Sequence, residues 1–187
     1  MLVLLAVTLA ACTPSQPTLP PTPTRPTVVG QPAPAEVRDL GPYLKFPCNL
    51  VAPGAVGEFR LKEIAATPPD PQVPGEEGDC VAQMSRDDPG ETEDDVVITP
   101  FDRDIVAEEE DRVAGLTPVP PVAGLPAGLR KNPGPDECSV YVRTAQDQGL
   151  RASLTRYEPD RPGAASSCDT VVRLAGAVLG FVPRTRQ

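Results

Sequence analysis

The segment SSCDTVVRLAGAVLG, residues 166–180, carries the clearest structural signal in the chain. Ser166 and Asp169 fit a helix-capping box, in which a side-chain oxygen accepts a hydrogen bond from a backbone N–H three residues later. The apolar residues after it recur at helical spacing, namely Val171, Val172, Leu174, Ala175, Val178 and Leu179. We therefore predict an amphipathic helix over residues 167–180, whose apolar face must dock on a sheet.

Two stretches upstream of this helix alternate apolar and polar residues, which is typical of half-buried strands. They are residues 138–143 and 150–155, and a short polar loop that ends in Gly149 separates them. We predict that they form an antiparallel hairpin beneath the helix. The predicted fold class is α+β, with an antiparallel sheet of about four to six strands and the C-terminal helix packed on one face.

Four cysteines, Cys48, Cys80, Cys138 and Cys168, predict two disulfides in a domain outside the cytoplasm. Three pairings are open, and spacing alone does not select one. We favour Cys48 with Cys80 and Cys138 with Cys168, because each bridge then closes a loop of similar size within one half of the domain. Cys138 also shares a strand face with Val140, so it points toward the helix that carries Cys168. A zinc site of four thiolates is the alternative, but no Cys-x-x-Cys pair supports it.

The first half of the domain shows weaker signals of the same kind. Cys48 leads into a helical turn around residues 53–61, residues 80–84 read as a strand, and residues 95–100 predict another. A proline-rich loop over residues 67–78 lies between the first two. Each half thus contains one helical segment and one strand that carry a cysteine. This suggests a loose duplication, although the two halves share no residue-level repeat.

The chain opens on an apolar run, MLVLLAVTLAA, which is too short by roughly eight residues to span a bilayer as a helix. We interpret residues 1–11 as a signal peptide. Their end, Leu9-Ala10-Ala11-Cys12, resembles the bacterial lipobox, after which Cys12 would become the lipidated N-terminus. No Lys or Arg precedes the run, so we expect a basic segment upstream of Met1. An ordinary secretory signal or a buried strand is the alternative.

Residues 13–34 contain eight prolines and five threonines. Such a segment cannot bury a core, and it favours extended polyproline conformations of ~3.1 Å per residue. We predict a disordered linker over residues 12–35 and a single extracytoplasmic domain over residues 36–187. The pattern Pro20-x-x-Pro23-x-Arg25 fits an SH3 ligand, but such a match is expected by chance in so proline-rich a stretch.

Composition excludes several classes of function. The chain has no histidine, which removes Ser-His-Asp and Cys-His catalysis and His-ligated metal sites. Its formal net charge is −9, from 17 Lys+Arg against 26 Asp+Glu, and no basic cluster offers a surface for nucleic acid. No segment has the spacing of a catalytic motif or a phosphate loop. We therefore expect a protein that is not an enzyme and has no cofactor or metal.

The most unusual surface signal is acidic. Residues 76–111 hold 15 carboxylates and two cations, Arg86 and Arg103. The acidic loop does not match the spacing of an EF-hand, so we do not expect a calcium site. The candidate surface for a cationic protein or ion comprises Asp87, Asp88, Glu91, Glu93, Asp94 and Asp95.

A helix is predicted within the same acidic stretch, over residues 104–114. Ile105, Val106 and Val113 would form its buried stripe. The acidic residues 108–111, Glu109 among them, are predicted to point mostly outward, as a solvated face would.

Four local contexts follow one another in the chain, and they define a resemblance. They are Pro47-Cys48-Asn49-Leu50, Cys80-Val81, Cys138-Ser139-Val140-Tyr141-Val142, and Ser167-Cys168-Asp169 with Leu174-Ala175. Together with the lipobox and the linker, they resemble a family of actinobacterial lipoproteins known as domain of unknown function 3558. The resemblance spans residues 39–183. It implies a location and a fold but no activity.

We expect a lipid-anchored, disulfide-linked binding or interaction module on the extracytoplasmic face of the cell membrane. Its partner would be a protein or a small envelope ligand, and the domain would be a monomer. One alternative is a carrier that holds a lipid or a small envelope ligand in an apolar cleft. Another is a wall hydrolase with two carboxylates, although a catalytic acid needs partial burial that a polar loop does not provide.

Overall fold

The computed structural model describes residues 36–69, 78–86, 93–112, 115–132, 136–157 and 165–186. Cys12, the signal peptide and the linker lie outside these ranges. The elements in chain order are β1 (Glu36–Arg38), α1 (Gly41–Leu44), a 3-10 turn (Pro47–Leu50), α2 (Pro53–Phe59), β2 (Leu61–Thr67), β3 (Asp79–Met84), β4 (Asp94–Phe101), α3 (Ile105–Glu110), β5 (Thr117–Val122), β6 (Leu125–Lys131), β7 (Glu137–Ala145), β8 (Gln148–Thr155), α4 (Ser167–Phe181) and β9 (Arg184–Arg186).

Seven strands form one antiparallel sheet in the order β2-β3-β4-β8-β7-β6-β5, and β1 pairs with β9 in a separate ribbon. The predicted hairpin is confirmed as the pair β7–β8, where Val140 lies opposite Ala152. The α+β class is confirmed, but the sheet exceeds the predicted four to six strands. Two of the unexpected strands, β2 and β5, are the edges of the sheet. Strand β5 contains three prolines, which only an edge strand tolerates and which hide it from a sequence pattern.

Helix α4 packs on β7 and β8 and covers one face of the sheet, which we call the core face. The capping box is confirmed, because the hydroxyl of Ser166 accepts from the backbone N–H of Asp169 at 3.1 Å. The apolar side of α4 is fully buried against sheet residues such as Ile98, Val140 and Leu154. Burial of this apolar surface is the main force that holds helix and sheet together.

Both disulfides anchor short elements to the core face. Cys48 bonds to Cys80 and joins the 3-10 turn to β3, while Cys138 bonds to Cys168 and joins β7 to α4. This is the favoured pairing, and the sequence separations are 32 and 30 residues. The bonds use all four thiols of the alternative zinc site. Within the described ranges, no three His, Cys, Asp or Glu side chains form a group that could hold a metal ion.

Helix α3 is shorter than predicted, and one of its carboxylates is buried. Glu109 is 4 % exposed, since it lies one turn after Ile105 on the side of α3 that packs on β7 and β8. Its carboxylate pairs with Arg130 and, at 3.2 Å, with Nη1 of Arg112. The prediction that Glu109 points outward was therefore wrong. A buried carboxylate is tolerated where arginines neutralise it, and a helical pattern does not show a partner such as Arg130, which lies on β6.

Two further predictions concern the end of α3 and helices that could cross a membrane. Val113 and Ala114, the end of the predicted helix, lie outside the described residues. Among the helices that the structure describes, none combines the length and the apolar character needed to cross a bilayer.

Candidate functional site

The structure divides the acidic candidate surface. Three of its six residues lie outside the described ranges, namely Asp87, Asp88 and Glu91. Glu93 forms an ion pair with Lys62 of the neighbouring edge strand. Asp94 and Asp95 open β4 and point to opposite faces of the sheet, because successive side chains of a strand alternate. The described part of this stretch is therefore not one continuous surface.

Asp94 is 1 % exposed and belongs to the interior. Its Oδ1 accepts from Nε of Arg86 at 3.0 Å, and its Oδ2 accepts from Nε of Arg156 at 3.2 Å. Arg156 is also buried, and its Nη1 donates to the carbonyl of Ala165 at 3.0 Å, just before α4. These bonds join β4, the end of β8 and the start of α4. Asp94 therefore holds the fold together and offers no charge to a partner.

Asp95 is half-buried and accepts a hydrogen bond from the hydroxyl of Tyr157. This bond raises the pKa of Tyr157 above its ordinary value of 10.0, and burial and the charge of Asp95 add to the effect. A phenolate would lose the bond and face the carboxylate. Like Glu93, Asp95 is thus already engaged with a neighbouring side chain.

The second face of the sheet, opposite α4, presents a different set of side chains. We call it the polar face, and it comprises Asp79, Thr99, Arg130, Ser139, Tyr141, Arg151 and Ser153. A polar second face is normal for an antiparallel sheet in contact with water. This one is unusual because Thr99, Ser139 and Tyr141 are only 1, 2 and 5 % exposed. Helix α3 covers part of it, around Tyr141 and Phe101.

Arg151 lies at the centre of a row of polar contacts across β3, β4 and β8. Its Nη2 donates to Oγ1 of Thr99 at 3.0 Å and lies 3.6 Å from Oδ1 of Asp79. The hydroxyl of Thr99 donates to the same carboxylate oxygen. The guanidinium also lies 5.7 Å from the ring centre of Phe101, within the range of a cation–π contact. Arg151 is therefore held in position on the polar face by three neighbouring side chains.

Arg130 and Tyr141 form the second part of the polar face. The guanidinium of Arg130 lies 5.6 Å from the ring centre of Tyr141, and its Nη2 donates to the carbonyl of Glu109 at 3.1 Å. Burial raises the pKa of Tyr141, and the charge of Glu109 adds to the rise, whereas Arg130 and Arg151 oppose it. Tyr141 therefore stays a neutral phenol, between two cations.

The polar face has unused hydrogen-bond donors. Nε of Arg130 and Nε of Arg151 are buried and have no hydrogen-bond partner within the described part of the chain. On the same face, Ser139 and Ser153 lie opposite each other across β7 and β8, with 2.8 Å between their hydroxyl oxygens. A buried donor without an acceptor costs about 1–3 kcal/mol. These two donors are the hydrogen-bonding capacity of the polar face that the described residues leave unused.

Sequence reasoning did not select the residues of this face. Ser139, Tyr141 and Arg151 lie within the two predicted strands of the hairpin but were not singled out as site residues, and neither was Arg130. The available signal was the alternation itself, which places Ser139 and Tyr141 on one side of β7 and Cys138 and Val140 on the other.

An apolar groove lies along the edge strand β2. It has a volume of about 620 Å³ and is lined by Leu44, Lys45, Phe46, Pro47, Ala66, Thr67, Pro68, Pro69 and Gly78. Phe46 is 57 % exposed, which is unusual for so large an apolar side chain. The groove borders Pro47, the residue before Cys48, and none of its lining residues belongs to α4.

Comparison with protein families assigns the chain. The family described as protein of unknown function, DUF3558, matches residues 7–180. The comparisons with curated proteins and with solved structures returned no match. The matched residues include both disulfides, every strand of the sheet and nearly all of α4. The chain therefore belongs to the DUF3558 family of proteins of unknown function.

Proposed function

We propose that the chain is an actinobacterial lipoprotein, held on the extracytoplasmic face of the cell membrane by lipid on Cys12. The short apolar run, the lipobox sequence and the proline-rich linker support this proposal. Two disulfides are in keeping with an oxidising compartment. The variant Cys12→Ser should lose metabolic acyl labelling and leave the membrane fraction. Labelling that persists in this variant would contradict the proposal.

The folded domain acts by binding, through the polar face. The observation that carries this proposal is the pair of buried Nε donors, on Arg130 and Arg151, that lack acceptors. Both guanidinium groups are held by neighbours, so their positions are fixed before a partner arrives, which lowers the entropy cost of binding. The partner would be a protein or a small envelope ligand with exposed carbonyl, carboxylate or hydroxyl oxygens.

The buried carboxylates also favour binding over hydrolysis. Within the described residues, the carboxylates with less than 5 % exposure are Asp94 and Glu109. Each is engaged by two arginines, and they lie on different elements, at the start of β4 and on α3. A glycoside hydrolase needs two carboxyl groups that flank one bond and are free to exchange protons with it.

Cross-linking of the anchored full chain in its own membrane tests the binding proposal. Arg151→Gln removes a guanidinium that is only partly buried, and Asp79 keeps the hydrogen bond from Thr99. This variant should lose the cross-linked partner. Arg173→Gln is the matched control, because Arg173 is an exposed arginine of α4, on the other side of the sheet, and is paired with Glu58. It should retain the partner.

Loss of the partner supports the proposal only if the variant is as stable as the parent chain. Both variants should unfold at nearly the same temperature as the parent chain, which circular dichroism measures. Identical cross-linked products in the parent and Arg151→Gln would contradict binding through the polar face. Glu93→Gln with Asp95→Asn gives a separate arm, and loss of the partner there would favour the acidic residues as the contact surface.

A second candidate function is the carriage of an apolar ligand in the groove beside Phe46. Its volume of about 620 Å³ falls in the ordinary range of ligand pockets, and its lining is mostly apolar. Native mass spectrometry of the chain extracted in mild detergent would show a co-purifying lipid if this proposal holds. Ala66→Trp should then release that lipid, whereas Arg151→Gln should not.

A further inference from the structure

A cleft beside the β1–β9 ribbon combines two arginines with one carboxylate. It has a volume of about 290 Å³ and is lined by Glu36, Arg38, Ala123, Gly124, Leu125 and Arg184. None of these residues belongs to the polar face or to the groove beside Phe46. The small volume suits a single small group and would not admit a folded segment.

Arg38 is an unusual arginine because it is buried and, among the residues that the structure describes, no carboxylate bonds to it. The residue is 3 % exposed. The structure gives its guanidinium one hydrogen bond, from Nη1 to the carbonyl of Val182. A buried charge is costly unless an opposite charge compensates it. Burial, followed by the nearby charge of Arg184, lowers the pKa of Arg38, while Glu36 has the opposite effect.

The pairing of the ribbon adds a second cation. Arg38 and Arg184 are direct cross-strand partners in the antiparallel pair of β1 with β9. Like charges in this position destabilise a strand pair. The carboxylate of Glu36 bonds to Nη1 of Arg184 at 3.0 Å, at the exposed rim. Glu36 therefore lies near both guanidinium groups but bonds only to the outer one, on Arg184, and within the described ranges no carboxylate bonds to Arg38.

We propose that this cleft binds a small oxyanion, a carboxylate or phosphate group, between Arg38 and Arg184. The N–H groups of Arg38 that Val182 does not use would donate to the anion oxygens, and a guanidinium can do so with two parallel bonds. The bound charge would screen the repulsion between the two arginines across the ribbon. The group could belong to a free metabolite or to an anionic lipid headgroup, since the chemistry of the contact is the same.

Titration of the full chain in detergent micelles tests this site. Inorganic phosphate and acetate are added at an ionic strength held constant with sodium chloride, and the unfolding temperature is followed. We expect a saturable rise with at least one of the two anions. A third arm replaces the free anion with phosphatidic acid doped into the micelles. Saturation in this arm alone would identify a lipid headgroup as the source of the anion.

Three variants locate the effect in the cleft. Arg38→Lys keeps the charge but loses the planar fork, and it should raise the dissociation constant about tenfold or more, as loss of a charge-assisted bond would. Arg184→Gln changes an exposed rim residue, so it should fold normally and still weaken binding severalfold. Glu36→Gln removes the competing carboxylate and should tighten binding.

An independent ion pair supplies the controls. Arg173 and Glu58 are also 3.0 Å apart, with side chains 60 and 50 % exposed, against 62 and 47 % for Arg184 and Glu36. Arg173→Gln and Glu58→Gln should therefore leave the dissociation constant unchanged. The proposal is overturned if neither free anions nor phosphatidic acid give a saturable rise. It is also overturned if Arg184→Gln and Glu36→Gln behave as their controls do.

Discussion

The two faces of the sheet come from the same strands but are stabilised by different interactions. On the core face, β8 contributes Leu150, Ala152 and Leu154, all fully buried beneath α4. On the polar face, the same strand contributes Arg151 and Ser153, which make individual hydrogen bonds. Apolar burial is non-directional, and it tolerates any residue of suitable volume. A hydrogen-bonded face requires a particular partner at each position.

This difference shows that a run of charge in a sequence does not define a surface. Asp94 and Asp95 are adjacent in the most acidic stretch of the chain. One is enclosed by arginines at the end of the core face, and the other accepts from a tyrosine at the margin of the polar face. The alternation of the strand separates two residues that charge counting groups together.

Removal of each of these two carboxylates gives the largest contrast between the faces. Asp94→Ala removes the carboxylate that accepts hydrogen bonds from Arg86 and from the buried Arg156, and we expect it to lower the free energy of unfolding by about 3–5 kcal/mol. Asp95→Ala removes one exposed hydrogen bond and should cost no more than about 1 kcal/mol. Urea unfolding of the full chain measures both. Equal losses would mean that Asp95 is as deeply embedded as Asp94.

Removal of each disulfide tests whether the two bridged parts of the core face depend equally on their covalent bond. The loops have sequence separations of 30 and 32 residues, so loop entropy predicts nearly the same loss for each, roughly 3–4 kcal/mol. Paired changes to alanine, at Cys138 with Cys168 and at Cys48 with Cys80, are compared by urea unfolding. A clear excess for the pair at Cys138 would reveal a packing contribution beyond loop entropy. A loss well under 1 kcal/mol for either pair would contradict the entropic account.

Glycine replacements test how tightly α3 lies on the polar face. A Cβ at Gly149 would lie 2.5 Å from Cγ2 of Ile105 and 3.2 Å from the carbonyl oxygen of Val142. Gly149→Ala should therefore force α3 outward and cost about 1–3 kcal/mol. Gly57, inside α2, has open space around it, so Gly57→Ala should instead stabilise the chain by about 0.5–1 kcal/mol. A Gly149→Ala variant that is as stable as the parent chain would show that α3 is not held against the sheet.

The elements of the core face were predictable from the sequence, whereas the edge strands and the buried charges were not. The core face was accessible to sequence reasoning, because periodicity reports burial: α4, the β7–β8 hairpin and β3 were predicted close to their observed bounds. The edge strands were not, because prolines and exposed residues leave no alternation. Burial of Glu109 and Asp94 was not predicted either, since it depends on Arg130 and Arg156, which lie far away in the sequence. Long-range charge partners leave no local pattern.

The ionisation of two tyrosines gives the smallest and most local test of the comparison. The pKa of Tyr157 is raised mainly by its hydrogen bond to Asp95, whereas that of Tyr141 is raised mainly by burial. Asp95→Asn should therefore lower the pKa of Tyr157 toward its ordinary value of 10.0 and leave that of Tyr141 raised. Ultraviolet absorbance titration of the folded chain reports its three phenols together, and the difference between the parent and Asp95→Asn isolates the change at Tyr157.

The sign of the linked effect on stability follows from the protonated form that the fold prefers. Each tyrosine keeps its proton in the folded chain at a pH where the unfolded chain has released it, so folding stability should fall as pH rises. The contribution of each is complete below the unfolded pKa of about 10 and is lost as pH rises through the folded value. In Asp95→Asn, the part of this decline that belongs to Tyr157 should disappear, while the part due to Tyr141 persists. A pKa of Tyr157 that stays raised in this variant would mean that burial, and not the bond at the margin of the polar face, controls its ionisation.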